Sequence, residues 1–267
     1  EQTGEIVKQS GEKPVYDTDL MMEGGRITGR AVSGGKAMDN MSESLYAIEQ
    51  ANKAADGSVF MFAVGDGNHS LAPAKAVWDE YKQRLGEKER KTSRVRYALV
   101  EIVNLYDEGL TFEPIHRVLF DADAAELTTF LAARLGGTLS KMNSAEELEN
   151  TVKNSTADFG FVYTENGKTE YALLSTDSTE LAVSRFQPAA DDFIRSHASV
   201  TIDYIHGGKE TAALGKKAGA VGILLPPIAK DSFFATIART GALPRKSFSM
   251  GEADEKRFYL ECRKLFG

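Results

Sequence analysis

Cysteine is nearly missing: Cys262 stands alone among 267 residues. No intrachain disulfide can form, which fits a reducing, cytoplasmic setting. Long apolar runs are missing as well. Nothing approaches the roughly 20 apolar residues that span a bilayer, so no membrane partner is expected. The longest runs, Val59 to Val64 and the glycine-interrupted Ala218 to Leu225, have the length of buried strands. A basic excess is absent too. Against 39 acidic residues stand 32 basic ones, giving a net charge of −7 and a pI near 5.3. A nucleic-acid partner is therefore not expected, while a local basic pocket for one small phosphate stays open. The stretch Glu1 to Ser10 lacks both the layout of a signal peptide and an initiator Met. The chain reads as a C-terminal fragment of a longer protein. There is no internal repeat and no low-complexity segment.

What is present is ordinary for a globular protein: 42% hydrophobic and 27% charged residues, in a chain long enough to bury a sizeable core. Glycines surround a short extended region at Arg26 to Val32. Ser42 opens a helical pattern that Asp56-Gly57 breaks. Val59 to Val64 reads as a strand, Leu71 to Leu85 as a helix with Pro73 in its first turn, and Arg94 to Asn104 as a strand. Thr111 to Phe120 reads as extended around Pro114. Asp123 to Leu135 is helical and stops at Gly136-Gly137. Ser144 with Glu147 marks a capping box. Asp158 to Thr164 and Thr169 to Ser175 form a hairpin through Asn166-Gly167, and Leu181 to Phe186 reads as another strand. Helices near Ala189 to His197, Lys209 to Lys217 and Asp231 to Thr240 then alternate with strands at Val200 to Ile205 and Ala220 to Leu225. Glu252 to Leu265 is expected to be a final helix. The mixture of hairpins and crossovers predicts an α+β fold with a mixed sheet and crossover helices. Three parts are expected: 1–120, a core part containing a phosphate loop; 121–180, an inserted α/β subdomain; and 181–267, a C-terminal α/β part packing on the core.

The chemistry concentrates in Phe60-Met61-Phe62-Ala63-Val64-Gly65-Asp66-Gly67-Asn68-His69-Ser70-Leu71. An expected strand runs into a glycine-rich turn and then a helix. The first turn of a helix offers unpaired N–H groups and the positive end of the dipole, which suit a phosphate. Gly65 and Gly67 permit backbone angles and close approaches that a side chain forbids. Asn68, His69 and Ser70 add donors, and Asp66 is placed to accept a proton or hold a metal. The plainer reading stands beside it: Asp66-Gly67 as a turn, with Asn68 or Ser70 capping the helix.

This run resembles a known family when taken with Pro114-Ile115-His116-Arg117, Asp203-Tyr204-Ile205-His206-Gly207 and Pro244-Arg245-Lys246-Ser247. Four motifs in order, covering essentially the whole chain, look like the bacterial domain-of-unknown-function 1015 family. That family brings no assigned activity. Its usual first motif, Asp-Gly-His-His-Arg, is similar to the phosphate signature of the ParB and sulfiredoxin superfamily, which includes a free-serine kinase. The resemblance implies a ParB/sulfiredoxin-like phosphate-loop element that places a nucleotide phosphate on the loop and helix start, with Asp66 near the phosphoryl acceptor. Here Asn68 and Ser70 stand where His and Arg are usual. The lost Arg removes a bidentate phosphate fork, so Lys75, Arg117 or Lys246 would have to supply the charge. The cysteine of sulfiredoxin's motif is missing, which argues against sulfinic-acid repair.

The implied activity is phosphoryl transfer from ATP, or binding of ADP, with Mg2+, to a small hydroxylated metabolite such as serine. Asp66, His69 and His116 are the candidate catalytic residues. Gly65, Gly67, Asn68, His69, Ser70, Arg117, Arg245 and Lys246 are the candidate phosphate or nucleotide ligands, with Asp203, His206 and Lys209 as a further group. Gly207-Gly208-Lys209-Glu210-Thr211 lacks the spacing of a Walker loop. His116 reads equally as bonded to the backbone, and Pro244 to Ser247 as a solvated basic turn. Two other readings remain: a noncatalytic nucleotide-responsive binding protein, which would change its homo-oligomeric state, and a metal-dependent hydrolase built on His69, His116, His206 and Asp66.

Overall fold

A computed structural model describes residues 5–6, 13–65, 67–251 and 260–266. The chain divides into two compact units, Glu1–Asp107 with Glu252–Gly267, and Glu108–Gly251. The class is α+β.

In the first unit, β1 (Pro14–Asp19) and β2 (Arg26–Arg30) form an antiparallel ribbon. Asp17 accepts from Arg26 Nε at 2.9 Å and from Thr28 Oγ1 at 2.9 Å, tying the two strands across their faces. Three helices follow: α1 (Gly35–Ala51), α2 (Asn68–Tyr81) and α3 (Glu87–Thr92). Helix α1 starts seven residues ahead of Ser42, whose hydroxyl donates back to the Met38 carbonyl from inside the helix. Two expected strands are not there. Residues 60–64 and 97–104 are irregular, with only a Lys53–Val59 bridge beside the first. Phe62 and Val64 in the first run, and Leu99 and Ile102 in the second, are exposed. A strand needs a neighbour to close its backbone hydrogen bonds, and no strand among the described residues lies against either run.

The second unit contains β3 (Phe112–Phe120), α4 (Ala124–Leu135), β4 (Gly137–Met142), α5 (Ala145–Lys153), β5 (Phe159–Glu165), β6 (Lys168–Thr176), α6 (Ala182–Ser196), β7 (Thr201–His206), α7 (Gly208–Gly215), β8 (Ala220–Leu224), α8 (Lys230–Thr240) and β9 (Phe248–Met250). The strand order is β4-β6-β5-β8-β3-β7, with β9 also on β3. Every pairing is antiparallel, so the expected mixed sheet is an antiparallel one. The β7-α7-β8 crossover explains the expectation: β7 and β8 run the same way but flank β3 rather than each other. Strands β4, β5 and β6, from the stretch expected as an inserted subdomain, share this sheet with β7 and β8 from the C-terminal part.

The local signals in this unit are physical ones. Asp123 caps α4 by accepting from Glu126 N–H at 2.9 Å, and Gly136 ends that helix with φ 69. Ser144 accepts from Glu147 N–H at 3.1 Å, while the Glu147 carboxylate reaches back one residue further, to Asn143 N–H. Asn166 (φ 50) and Gly167 (φ 73) take the left-handed angles of a type I′ hairpin turn. Leu181 to Phe186 is not a strand but the start of α6. Ala182, Val183, Phe186, Ala189, Ala190 and Phe193 are all buried at three- to four-residue spacing, which is helical, and Pro188 does not stop it.

Helices cover both faces of the sheet. On one, Phe159 packs on Phe186 at 5.6 Å and Phe130 on Phe193 at 5.3 Å. On the other, Leu148, Val152, Val162, Leu173, Ala212 and Leu224 form a buried cluster. Strand β3 lies between these layers, and Ile115 to Leu119 are buried without interruption.

Candidate functional site

The glycine-rich turn of the first unit does open a helix. Gly67 is the N-cap of α2, at φ 96 and ψ 6. A Cβ there would meet nothing within 4 Å, so glycine is required for its angle, not for space. No described side chain caps this end, and the first turn holds no acidic residue. Ser70 and Leu71 N–H donate to the Gly67 carbonyl at 2.9 and 2.8 Å. Gly65, His69 and Ser70 are exposed. Gly67 itself is half-buried. Asp66 and the side chain of Asn68 lie outside the described residues. Lys75 is engaged elsewhere, bonded to Asp79 at 2.5 Å.

The other three motifs meet in the second unit. His116 and Arg117 are neighbours on β3 and point to opposite faces. On one face, His116 Nδ1 accepts from Leu225 N–H at 3.1 Å. That bond fixes the tautomer, with the proton on Nε2. Burial, then the charges of Arg117 and His206, push its pKa down to about 4, so the ring is neutral at ordinary pH.

Arg117 is wholly buried. It faces Tyr204, its register partner on β7, with the guanidinium carbon 4.7 Å from the ring centroid. Its Nε donates to Gln187 Oε1 on α6 at 3.1 Å, and Nη1 donates to the Ile115 carbonyl. Nη2 is buried without a partner. An unsatisfied buried donor costs about 1–3 kcal/mol, more for a charged group. Burial lowers the Arg117 pKa to about 10, so the side chain still carries its charge at neutral pH.

Arg245, just before β9, joins the same group. Its Nε donates to Tyr204 Oη at 2.6 Å and its Nη2 to Asp191 Oδ1 at 3.2 Å. Asp191 also accepts from Gln187 Nε2 at 2.9 Å. Ile115 to Arg117, Tyr204 and Arg245, far apart in the chain, thus make one network. Gln187 and Asp191 were not foreseen. The available signal was a glutamine within the buried stripe of an amphipathic helix, where a polar residue needs a partner.

The remaining candidates sit around it. Asp203 is exposed and accepts from Tyr204 N–H at 2.8 Å. His206 is exposed at the end of β7, opposite Ile115. Lys246 is exposed, and Ser247 is buried and donates to the Pro244 carbonyl at 2.6 Å. Lys209 is exposed at the start of α7. There the Glu210 and Glu149 carboxylates lie over the Gly207-Gly208 turn, where a Cβ on either glycine would strike them. This helix start already has carboxylates of its own chain beside it. Among the described residues, no group of three or more His, Cys, Asp or Glu could hold a metal ion. None of their helices is long and apolar enough to cross a membrane.

A model of the family described as Protein of unknown function (DUF1015) matches residues 1–195. No curated protein matches the chain. Two solved structures are similar to it. One is a conserved hypothetical protein from Pyrococcus furiosus, at 12% identity and a TM-score of 0.43, with 57% of this chain and 61% of that one covered. The chain thus spans about three fifths of the length of that protein. The other is a free serine kinase mutant in complex with AMP, at 10% identity and a TM-score of 0.46, with 80% of each chain covered.

Proposed function

The chain belongs to the DUF1015 family, proteins of unknown function, and from that premise we propose that Gly65 to Ser70 binds the phosphates of a nucleotide, and that the chain transfers a phosphoryl group to a small hydroxylated metabolite. The observation that carries this reading is the glycine-led N-terminus of α2. It has a left-handed glycine as N-cap, no cap from a described side chain, no acid in its first turn, and exposed His69 and Ser70 beside it. Amides in that state donate to an anion, and the helix dipole favours the charge.

In this reading the amides of Asn68 and His69, with the side chains of His69 and Ser70, hold phosphate oxygens. ATP with Mg2+ is the donor substrate. Asp66 accepts the proton of the acceptor hydroxyl as its oxygen takes the γ-phosphoryl group, and ADP leaves. The loop has no arginine, so positioning of the phosphates rests on backbone donors.

The test is calorimetry of the full chain with ATP and ADP in the presence of Mg2+, followed by a phosphotransfer assay over a panel of hydroxylated metabolites. Saturable nucleotide binding is expected, with turnover reduced by about 10²-fold or more in Asp66→Ala. Binding without turnover would leave a nucleotide-responsive binding protein. Absence of binding would end the reading.

A further inference from the structure

Arg117 Nη2 is the one side-chain donor, among the described residues, that is buried with no partner. We propose that Arg117, Tyr204 and Arg245 form a binding site for the oxyanion of a small ligand, a carboxylate or a phosphate, which Tyr204 closes in this structure. The site lies wholly within Glu108–Gly251. It goes beyond the nucleotide reading and does not depend on it.

The inner donor is held in place. Strand β3, the bond from Nε to Gln187 and the bond from Nη1 to the Ile115 carbonyl set the guanidinium plane, so only Nη2 is left to give. A fixed, desolvated guanidinium is the side chain best suited to an oxyanion, because its donors are planar and its charge is weakly hydrated. Among the described residues, no carboxylate pairs with it directly.

The cover is held from outside. The Tyr204 ring lies over Arg117, and the Tyr204 hydroxyl is tethered by Arg245 at 2.6 Å. Arg245 is anchored in turn on Asp191 at 3.2 Å. The side chains of Arg245 and Asp191 are 61% and 30% exposed, so these outer bonds can exchange with a solute without opening the core. Two guanidinium groups face one carboxylate here, leaving one positive charge for a single oxyanion. An incoming oxyanion takes the place of Asp191 on Arg245. The hydroxyl of Tyr204 is released, the ring turns aside, and Arg117 Nη2 gains its acceptor. No covalent bond changes.

The full chain is titrated calorimetrically with inorganic phosphate and, separately, with acetate, at constant ionic strength in chloride. At least one of them is expected to saturate at one per chain. Arg245→Gln should weaken binding about tenfold or more. Asp191→Asn removes the competing carboxylate and should tighten binding about threefold, a gain that a misfolded protein would not give. Arg239→Gln, an equal loss of charge at an exposed position of α8 in the same unit, should change binding by less than about twofold. Saturation by phosphate alone assigns a phosphate ligand, and by acetate alone a carboxylate. If neither saturates the wild-type or the Asp191→Asn protein, a buried water completes the guanidinium and the proposal falls. It falls equally if Arg245→Gln and Arg239→Gln weaken binding alike, because diffuse charge would then explain it.

Discussion

His116 shows how one residue can lose the role its type suggests. A histidine in a Pro-Ile-His-Arg run invites a general base. Once buried with Nδ1 accepting from Leu225 N–H, the ring has only Nε2–H to offer, as a neutral donor. Its pKa falls from 6.5 to about 4. The unfolded chain therefore binds a proton that the folded chain refuses, and stability is lost as pH falls through that window. The contribution is on the order of 3 kcal/mol between the two values. Urea unfolding from pH 7 to pH 4 should show this acid limb. His116→Asn places an oxygen where Nδ1 was and should flatten the limb relative to wild type. An unchanged limb would place the titration on another group. That His116 deserved notice was legible from its motif. Its tautomer was not, because Leu225 is 109 residues away.

Among the elements, α7 and β8 depend on missing side chains. A Cβ on Gly222 would stand 2.5 Å from the Thr211 carbonyl and 3.3 Å from Gly215 Cα. Helix and strand touch backbone to backbone here. Gly222→Ala should therefore cost about 1–3 kcal/mol by overpacking. Gly136→Ala meets open space and strains only a φ of 69, at about 1 kcal/mol. Urea midpoints at constant slope measure both, and the reverse order would refute the close approach. The sequence marked Gly136 correctly as a helix stop, because a cap is a local event. It could not distinguish Gly222 from any strand glycine, because what Gly222 meets comes from another element. The same divide separates the Asn166-Gly167 hairpin, legible from two residues, from the runs at 59–64 and 97–104. Those runs have strand composition but no partner strand among the described residues.

At the scale of the whole molecule, every strand of the larger sheet and the helices on both its faces come from Glu108–Gly251. That segment, expressed by itself, should melt cooperatively. The exposed apolar side chains Phe62, Val64, Leu99 and Ile102 all belong to the other unit. Anilinonaphthalene sulfonate should therefore fluoresce with the full chain and only weakly with the 108–251 fragment. Equal fluorescence, or a fragment that fails to melt, would overturn the division.

The sequence alone determined the family, the α+β class, the Gly136 stop of α4, the Ser144 cap of α5 and the Asn166-Gly167 hairpin. Each depends on residues within a few positions of one another, where backbone angles and local donors decide. Tertiary structure decided that β7 and β8 flank β3, and that Arg117, Tyr204 and Arg245 stack together over Gln187 and Asp191. It also left one guanidinium nitrogen without an acceptor. These facts follow from strand order and register, and no periodicity within a strand records which strand will lie beside it.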